Sequence, residues 1–436
     1  QGLWVEALRC VEEMAEALGD QRLAAEAREA AGRTARAVEQ TYWLEGRGFY
    51  AYSTNTPRAE PRKADPGPDR ERRQQRMNEI DKSKLYDENT VLPAVPLWFE
   101  VLEDGRAQSQ IDHLGGARLA TDWGARILSD DSRLYDPLSY HNGSVWPLFT
   151  GWASLGAYRY GRPSVGLGAL MSNVLLRRQW ALGYVTELLS GDFNAPFGRS
   201  SHHQVWSEAM TLTPLVRGLL GVEVSDFGRT VVFAPRLPAD WPSVEVRRLR
   251  AGANTFDLSL ARGGGQMTIK LRPNGAAAGG ETKQGTTFRV APAFPLDARV
   301  RSVRVDGRAV SFEVERVGDV QTAEFAVEVR RPVEVRVAYD EGSDVVVPFE
   351  PPAPGARSES LRVLRSTAAP GALRLLLEGV GGRTYALRLK TPHAAGTGEG
   401  FEATRVGADE YRLEVAFDPA ARGYTRREVV VPLNRR

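Results

Sequence analysis

The chain has 436 residues, with 57 Lys and Arg against 55 Asp and Glu, a formal charge of +2 and 26% charged residues. That balance gives no strong bias toward a polyanion or a membrane, and a single cysteine, Cys10, excludes an internal disulfide. No apolar run of ~18 residues predicts a membrane helix, and the length predicts two or three domains with sizeable cores.

Residues 3–18 set Trp4, Leu8, Val11, Met14, Ala15 and Leu18 at helical spacing, which predicts one apolar face. Cys10 lies on this helix and reads as a small buried residue. Gly19-Asp20 reads as a helix stop followed by an N-cap. A second helix is expected to about Thr41, with Leu23, Ala27, Ala30, Thr34 and Val38 inward. The pair would be an αα-hairpin. The chain opens on Gln1 inside this pattern with no cap signal, so the natural beginning is expected upstream and the compartment stays open.

Tyr42-Trp43 and the stretch from Gly46 to Tyr52 read as a loop or short hairpin. Residues 53–82 are dense in Arg, Glu, Asp and Pro, which predicts a flexible insertion. Its arginines are interleaved with acids and lack aromatics, so nucleic acid is not an expected partner. Further helices are expected at about 88–103, 110–128, 143–160, 164–180 and 202–220. After Gly221 the period becomes alternating, as in Phe256/Leu258/Leu260, Met267/Ile269/Leu271 and Val333/Val335/Val337. These are half-buried strands. Breaks at 273–286 and 348–358 divide this part, giving a β-sandwich over 223–347 and a small β module over 358–436. Strands of that module are expected near 360–366, 371–378, 383–389 and 409–417.

The polar, aromatic-rich segments lie between residues 136 and 210. They are YHNGSVWP at 140–147, ELLSGD at 187–192 and HQVWSEAM at 203–210. With the opening Gln1-Gly2-Leu3-Trp4-Val5-Glu6-Ala7-Leu8, they resemble the catalytic domain of the six-hairpin glycosidases. The likeness is to the amylo-α-1,6-glucosidase (glycogen-debranching) group and mannosylglycerate-hydrolase-like enzymes, and it covers residues 1–222. It implies a mainly α fold, a partial (α/α)6 toroid, followed by all-β sandwich modules. About seven helices are expected where such a barrel has about twelve, so the upstream half of the same barrel is expected as a partner.

The resemblance implies glycoside hydrolysis by inversion, on an α-linked glucan or oligosaccharide or a small glycoside. Two carboxyl groups are needed, one as acid and one activating water. Glu187 matches the family's base, and its bland alternative is an exposed loop glutamate. The family's acid is usually an aspartate in an early-barrel segment that 1–436 lacks, so it is expected upstream. Glu88 is a weaker substitute at what also reads as a helix start. Trp146 is expected as a wall of the sugar site, with Tyr140, His141, Asn142, His203, Trp206 and Glu208 as further substrate-binding candidates. Asp136 and Asp192 read as turn residues, and Asp122 as a surface partner of Arg126. The histidines show no H-x-x-x-H or H-E-x-x-H spacing, so no metal centre or other cofactor is expected, with a calcium held by loop oxygens left as an alternative; the charge balance predicts no membrane partner. The rival readings are a non-catalytic carbohydrate-binding protein and a related sugar phosphorylase.

Overall fold

The computed structural model describes residues 1–60, 62–64, 69–180, 182–274, 285–347 and 349–434. It divides into two compact units: 1–214 with 349–364, and 215–348 with 365–436. The break expected at 273–286 lies largely outside the described residues.

The first unit is helical. α1 (Gly2–Leu18) ends on Gly19, whose φ of 79° is left-handed, and Asp20 caps α2 (Gln21–Tyr42) by accepting from Leu23 N at 3.0 Å. The two form the expected hairpin, but the buried stripes are narrower than expected. Val5, Leu8 and Ala15 of α1 and Ala24, Ala27, Ala31 and Val38 of α2 are buried. Trp4, Met14, Leu18 and Leu23 are exposed, Leu18 to 86%. Cys10 is exposed as well, contrary to its expected burial. The reason is geometric: α1 carries apolar residues on two sides, and only the side toward α2 and α4 is covered.

Residues 70–82, expected within a flexible insertion, form α3 (Arg70–Lys82). Ion pairs do for this helix what an apolar face usually does. The fully buried Asp81 accepts from Arg62 N and Nε at 2.6 and 2.8 Å. Arg76 holds Glu88 at 2.5 Å and Asp87 at 2.6 Å. Buried Arg73 donates to Leu134 O at 2.9 Å.

The helices expected at 88–103 and 110–128 are corrected. Pro93 and Pro96 restrict the first to α4 (Ala94–Trp98). The second is α5 (Asp104–Gly115), capped by Glu103 and ended at Gly115-Gly116. Residues 119–128 are then a loop with a two-strand ribbon, 120–121 against 124–125. The later helices stand as expected: α6 (Pro147–Arg159), α7 (Pro163–Leu176) and α8 (Val205–Thr213), which continues as a π-helical turn over Pro214–Leu219. α6 is the centre, buried on most of its circumference and packed on α4, α7 and α8. Small residues permit this: a β-carbon at Gly151 would lie 2.5 Å from Met210 O.

The second unit is all β. One six-stranded sheet runs 308–310, 299–305, 333–340, 266–274, 254–263, 243–251, and a second is built on 320–329 and 286–290. The alternating residues named above are buried between them, with Phe256 edge-on to Phe288 at 5.0 Å. Two four-stranded sheets follow, one around 384–390 and 410–416, the other around 372–380 and 424–434. The description mainly α therefore applies to the first unit and not to the chain.

Candidate active site

The two motif loops are laid against each other by the backbone. Val145 and Leu189 exchange both hydrogen bonds at 2.9 Å, so YHNGSVWP and ELLSGD form one antiparallel bridge. Gly191 N donates to Pro137 O at 2.9 Å. The approach is so close that a β-carbon at Gly191 would lie 2.2 Å from Gly143 O, and one at Gly143 would lie 2.4 Å from Asp136 O. Only glycine fits at either place.

This bridge brings Tyr140 to Glu187. The Tyr140 hydroxyl donates to Glu187 Oε1 at 2.6 Å, and Ser201 N donates to Glu187 Oε2 at 3.2 Å. The carboxylate is thus held at both oxygens while the side chain is only 8% exposed. The hydrogen bond to Glu187, with burial second, pushes the Tyr140 hydroxyl up to about 12.

Aromatic rings continue from this pair. Tyr140 stands edge-on to Trp146 at 4.7 Å and to His141 at 4.9 Å. Trp146 lies 5.4 Å from Phe149 and 6.5 Å from Trp206. Trp146 is only 5% exposed, and its Nε1 donates to Ser144 Oγ at 2.8 Å. It backs the cluster, and the open ring surface belongs to Tyr140 and to Trp206, which is 40% exposed. His203 is exposed beside Tyr184, at 5.0 Å. Asn142 turns the loop, its carbonyl accepting from Asp136 N at 2.8 Å. Glu208 sits in the first turn of α8, where a carboxylate complements the helix dipole. Its Oε1 is buried with no hydrogen-bond partner among the described residues.

Several supporting residues carried no signal in the sequence. Tyr135 donates to Asp192 Oδ1 at 2.7 Å, and burial, with Asp192 beside it, pushes that hydroxyl above its ordinary range. Arg126 Nε donates to Gly191 O at 2.8 Å and Trp123 Nε1 to Ser190 O at 2.9 Å. Asp122, expected to pair with Arg126 on a helix surface, instead faces residues 358–362, because no helix exists there.

A held carboxylate beside open aromatic rings is the kind of arrangement that glycoside hydrolases use. Residues 2–207 match the family described as the mannosylglycerate hydrolase MGH1-like glycoside hydrolase domain. No curated protein matches the sequence. Among solved structures, an α-L-rhamnosidase from Dictyoglumus thermophilum is similar at 11% identity over 77% of this chain and 31% of that one, with a TM-score of 0.44. A mannosylglycerate hydrolase from Thermus thermophilus is similar at 18% identity over 48% and 43%, with a TM-score of 0.35. A neutral trehalase from Saccharomyces cerevisiae is similar at 16% identity over 44% and 30%, with a TM-score of 0.32. The chain thus spans less than half the length of each of these proteins.

Proposed function

We propose that the protein hydrolyses glycosidic bonds with inversion, with Glu187 as the base. The observation that carries this reading is the two-point hold on Glu187, by the Tyr140 hydroxyl at 2.6 Å and Ser201 N at 3.2 Å, beside the open rings of Tyr140 and Trp206. A base must present a fixed lone pair to a water on the far face of the sugar. The two hydrogen bonds fix the carboxylate plane and leave further lone pairs for that water. Proton transfer to Glu187 would accompany attack of the water oxygen on the anomeric carbon, while an acid protonates the departing oxygen. Glu88 is engaged by Arg76 and Asp192 by Tyr135, and neither is assigned as that acid. Tyr140, Trp206 and His203 would contact the sugar, with His141 and Asn142 as hydroxyl ligands, Trp146 behind them and Glu208 at the start of α8. An α-linked glucan or a small glycoside is the proposed substrate class.

The test compares the full-length protein with Glu187→Gln over a panel of α-glucans and small glycosides, with product anomers read by NMR. Loss of ~100- to 10,000-fold in turnover with binding retained supports the base role. An unchanged rate removes it. Binding without cleavage by the unaltered protein would instead favour a carbohydrate-binding protein.

A further inference from the structure

Residues 349–364 follow the first β-sandwich in sequence, yet they belong to the helical unit. The chain on both sides, 215–348 and 365–436, belongs to the β unit. The segment is fastened at three places. The first is Asn194, on the loop that carries Glu187. Asn194 is fully buried, its Nδ2 donates to Pro352 O at 2.9 Å and to Gln179 Oε1 at 2.8 Å, and its backbone pairs with the segment through Asn194 N to Ala356 O at 2.9 Å and Gly355 N to Asn194 O at 2.7 Å. Beside it the Arg357 guanidinium lies over the Phe193 ring at 4.6 Å.

The second fastening is Asp122. Its Oδ1 accepts from Ser358 Oγ at 2.9 Å and Arg362 Nη2 at 3.2 Å, and its Oδ2 from Glu359 N at 2.8 Å and Ser360 N at 3.1 Å. A nearly buried carboxylate that satisfies four donors holds that stretch of backbone in one conformation. The neighbouring Trp123 in turn donates to Ser190 O at 2.9 Å, so the same short stretch grips the Glu187 loop directly. The third fastening is buried Arg162, which donates to Leu364 O.

We propose that residues 349–364 are a positioning strap for the Glu187 loop, with Asp122 and Asn194 as the positioning residues that seat it. Turnover then depends on chain that lies far downstream of the base and touches no substrate. This rests on the reading of Glu187 as the base.

The experiment uses the full chain with Asp122→Asn, Asp122→Ala and Asn194→Ala. Hydrogen exchange of peptides spanning residues 185–201 reads the loop. Steady-state rates, on whichever panel glycoside the unaltered protein cleaves, read the consequence. Exchange in 185–201 is expected to quicken by ~tenfold or more in Asp122→Ala and by less in Asp122→Asn, which keeps one acceptor. In the same order kcat is expected to fall by ~10- to 100-fold while KM stays within about twofold, because a shifted base harms the transition state more than binding. Unchanged exchange overturns the strap. Faster exchange with unchanged kcat overturns its positioning role. If the unaltered protein cleaves nothing, the hydrolase reading falls and the positioning role with it, while the exchange arm still decides whether the strap holds the loop. Should Asp122→Ala fail to fold, Ser358→Ala with Arg362→Met removes two of the four donors from the strap side and gives the same readouts.

Discussion

Gly191→Ala tests whether the two motif loops must touch. The added carbon would lie 2.2 Å from Gly143 O and 2.3 Å from the Tyr135 hydroxyl. Unstrained contact is ~3.5 Å, so the loops must part by ~1 Å. Gly143 O is backbone and cannot swing aside. Parting strains the Val145–Leu189 exchange at 2.9 Å, Gly191 N to Pro137 O at 2.9 Å and Arg126 Nε to Gly191 O at 2.8 Å. Loss of two such bonds at ~1 kcal/mol each, with overpacking strain of ~1–3 kcal/mol, gives a destabilisation of ~3–5 kcal/mol. At ~2–4 °C per kcal/mol the unfolding temperature of the helical unit falls by ~6–20 °C. Glu187 shares the loop, so turnover falls by ~100-fold. Thermal unfolding followed by near-ultraviolet circular dichroism, with rates measured well below the transition, reads both effects. A variant that melts within ~1 °C of the unaltered protein and turns over at its rate would refute the close-approach argument.

Tyr140→Phe should lower kcat by ~10-fold and cost ~0.5–1.5 kcal/mol of stability, since one neutral-to-charged hydrogen bond is lost from a half-open site. Because Glu187 raises the Tyr140 hydroxyl from 10.0 to about 12, its contribution is complete below pH 10 and is lost as pH rises through about 12. Stability measured across that window should show a step that Tyr140→Phe lacks. Arg76→Ala leaves Glu88 buried without its partner and should destabilise by ~3–5 kcal/mol in denaturant titration; a loss under ~1 kcal/mol would mean α3 is held otherwise. Burial, aided by Asp297 and Asp319 against the pull of Val345 N–H and Arg262, lifts the Asp344 carboxyl from 3.8 to about 6. Its folded form favours the proton, so that contribution is present below pH 3.8 and lost as pH rises through about 6. Asp344→Asn should therefore raise the unfolding temperature of the β unit at pH 7.5 more than at pH 3.5. Equal effects at both would contradict it.

Short-range pattern carried much of this protein. Gly19-Asp20 marks the α1–α2 boundary because a left-handed C-cap and an Asx N-cap are local geometries with local residue preferences. Phe256, Leu258 and Leu260 declare a strand because a pleat alternates faces whatever lies opposite. The order of YHNGSVWP, ELLSGD and HQVWSEAM pointed to the glycoside hydrolase class that the match over residues 2–207 supports. The rest turned on partners distant in sequence. α3 has almost no apolar face, and it forms because Arg62, Arg76 and Arg73 find Asp81, Glu88 and Leu134 O. Trp4 and Met14 have the spacing of core residues, and only the placement of α2 and α4 leaves them outside. Trp146 is an aromatic ring in a motif loop, and only the packing of Tyr140 and Phe149 beside it decides that it is buried. Asp122 and Asn194 look like loop residues until 349–364 arrives to occupy them. Caps and periods are satisfied within a few residues, so sequence alone can determine them. Which face is covered, and which carboxylate is held and by what, depends on groups brought together only when the chain has folded.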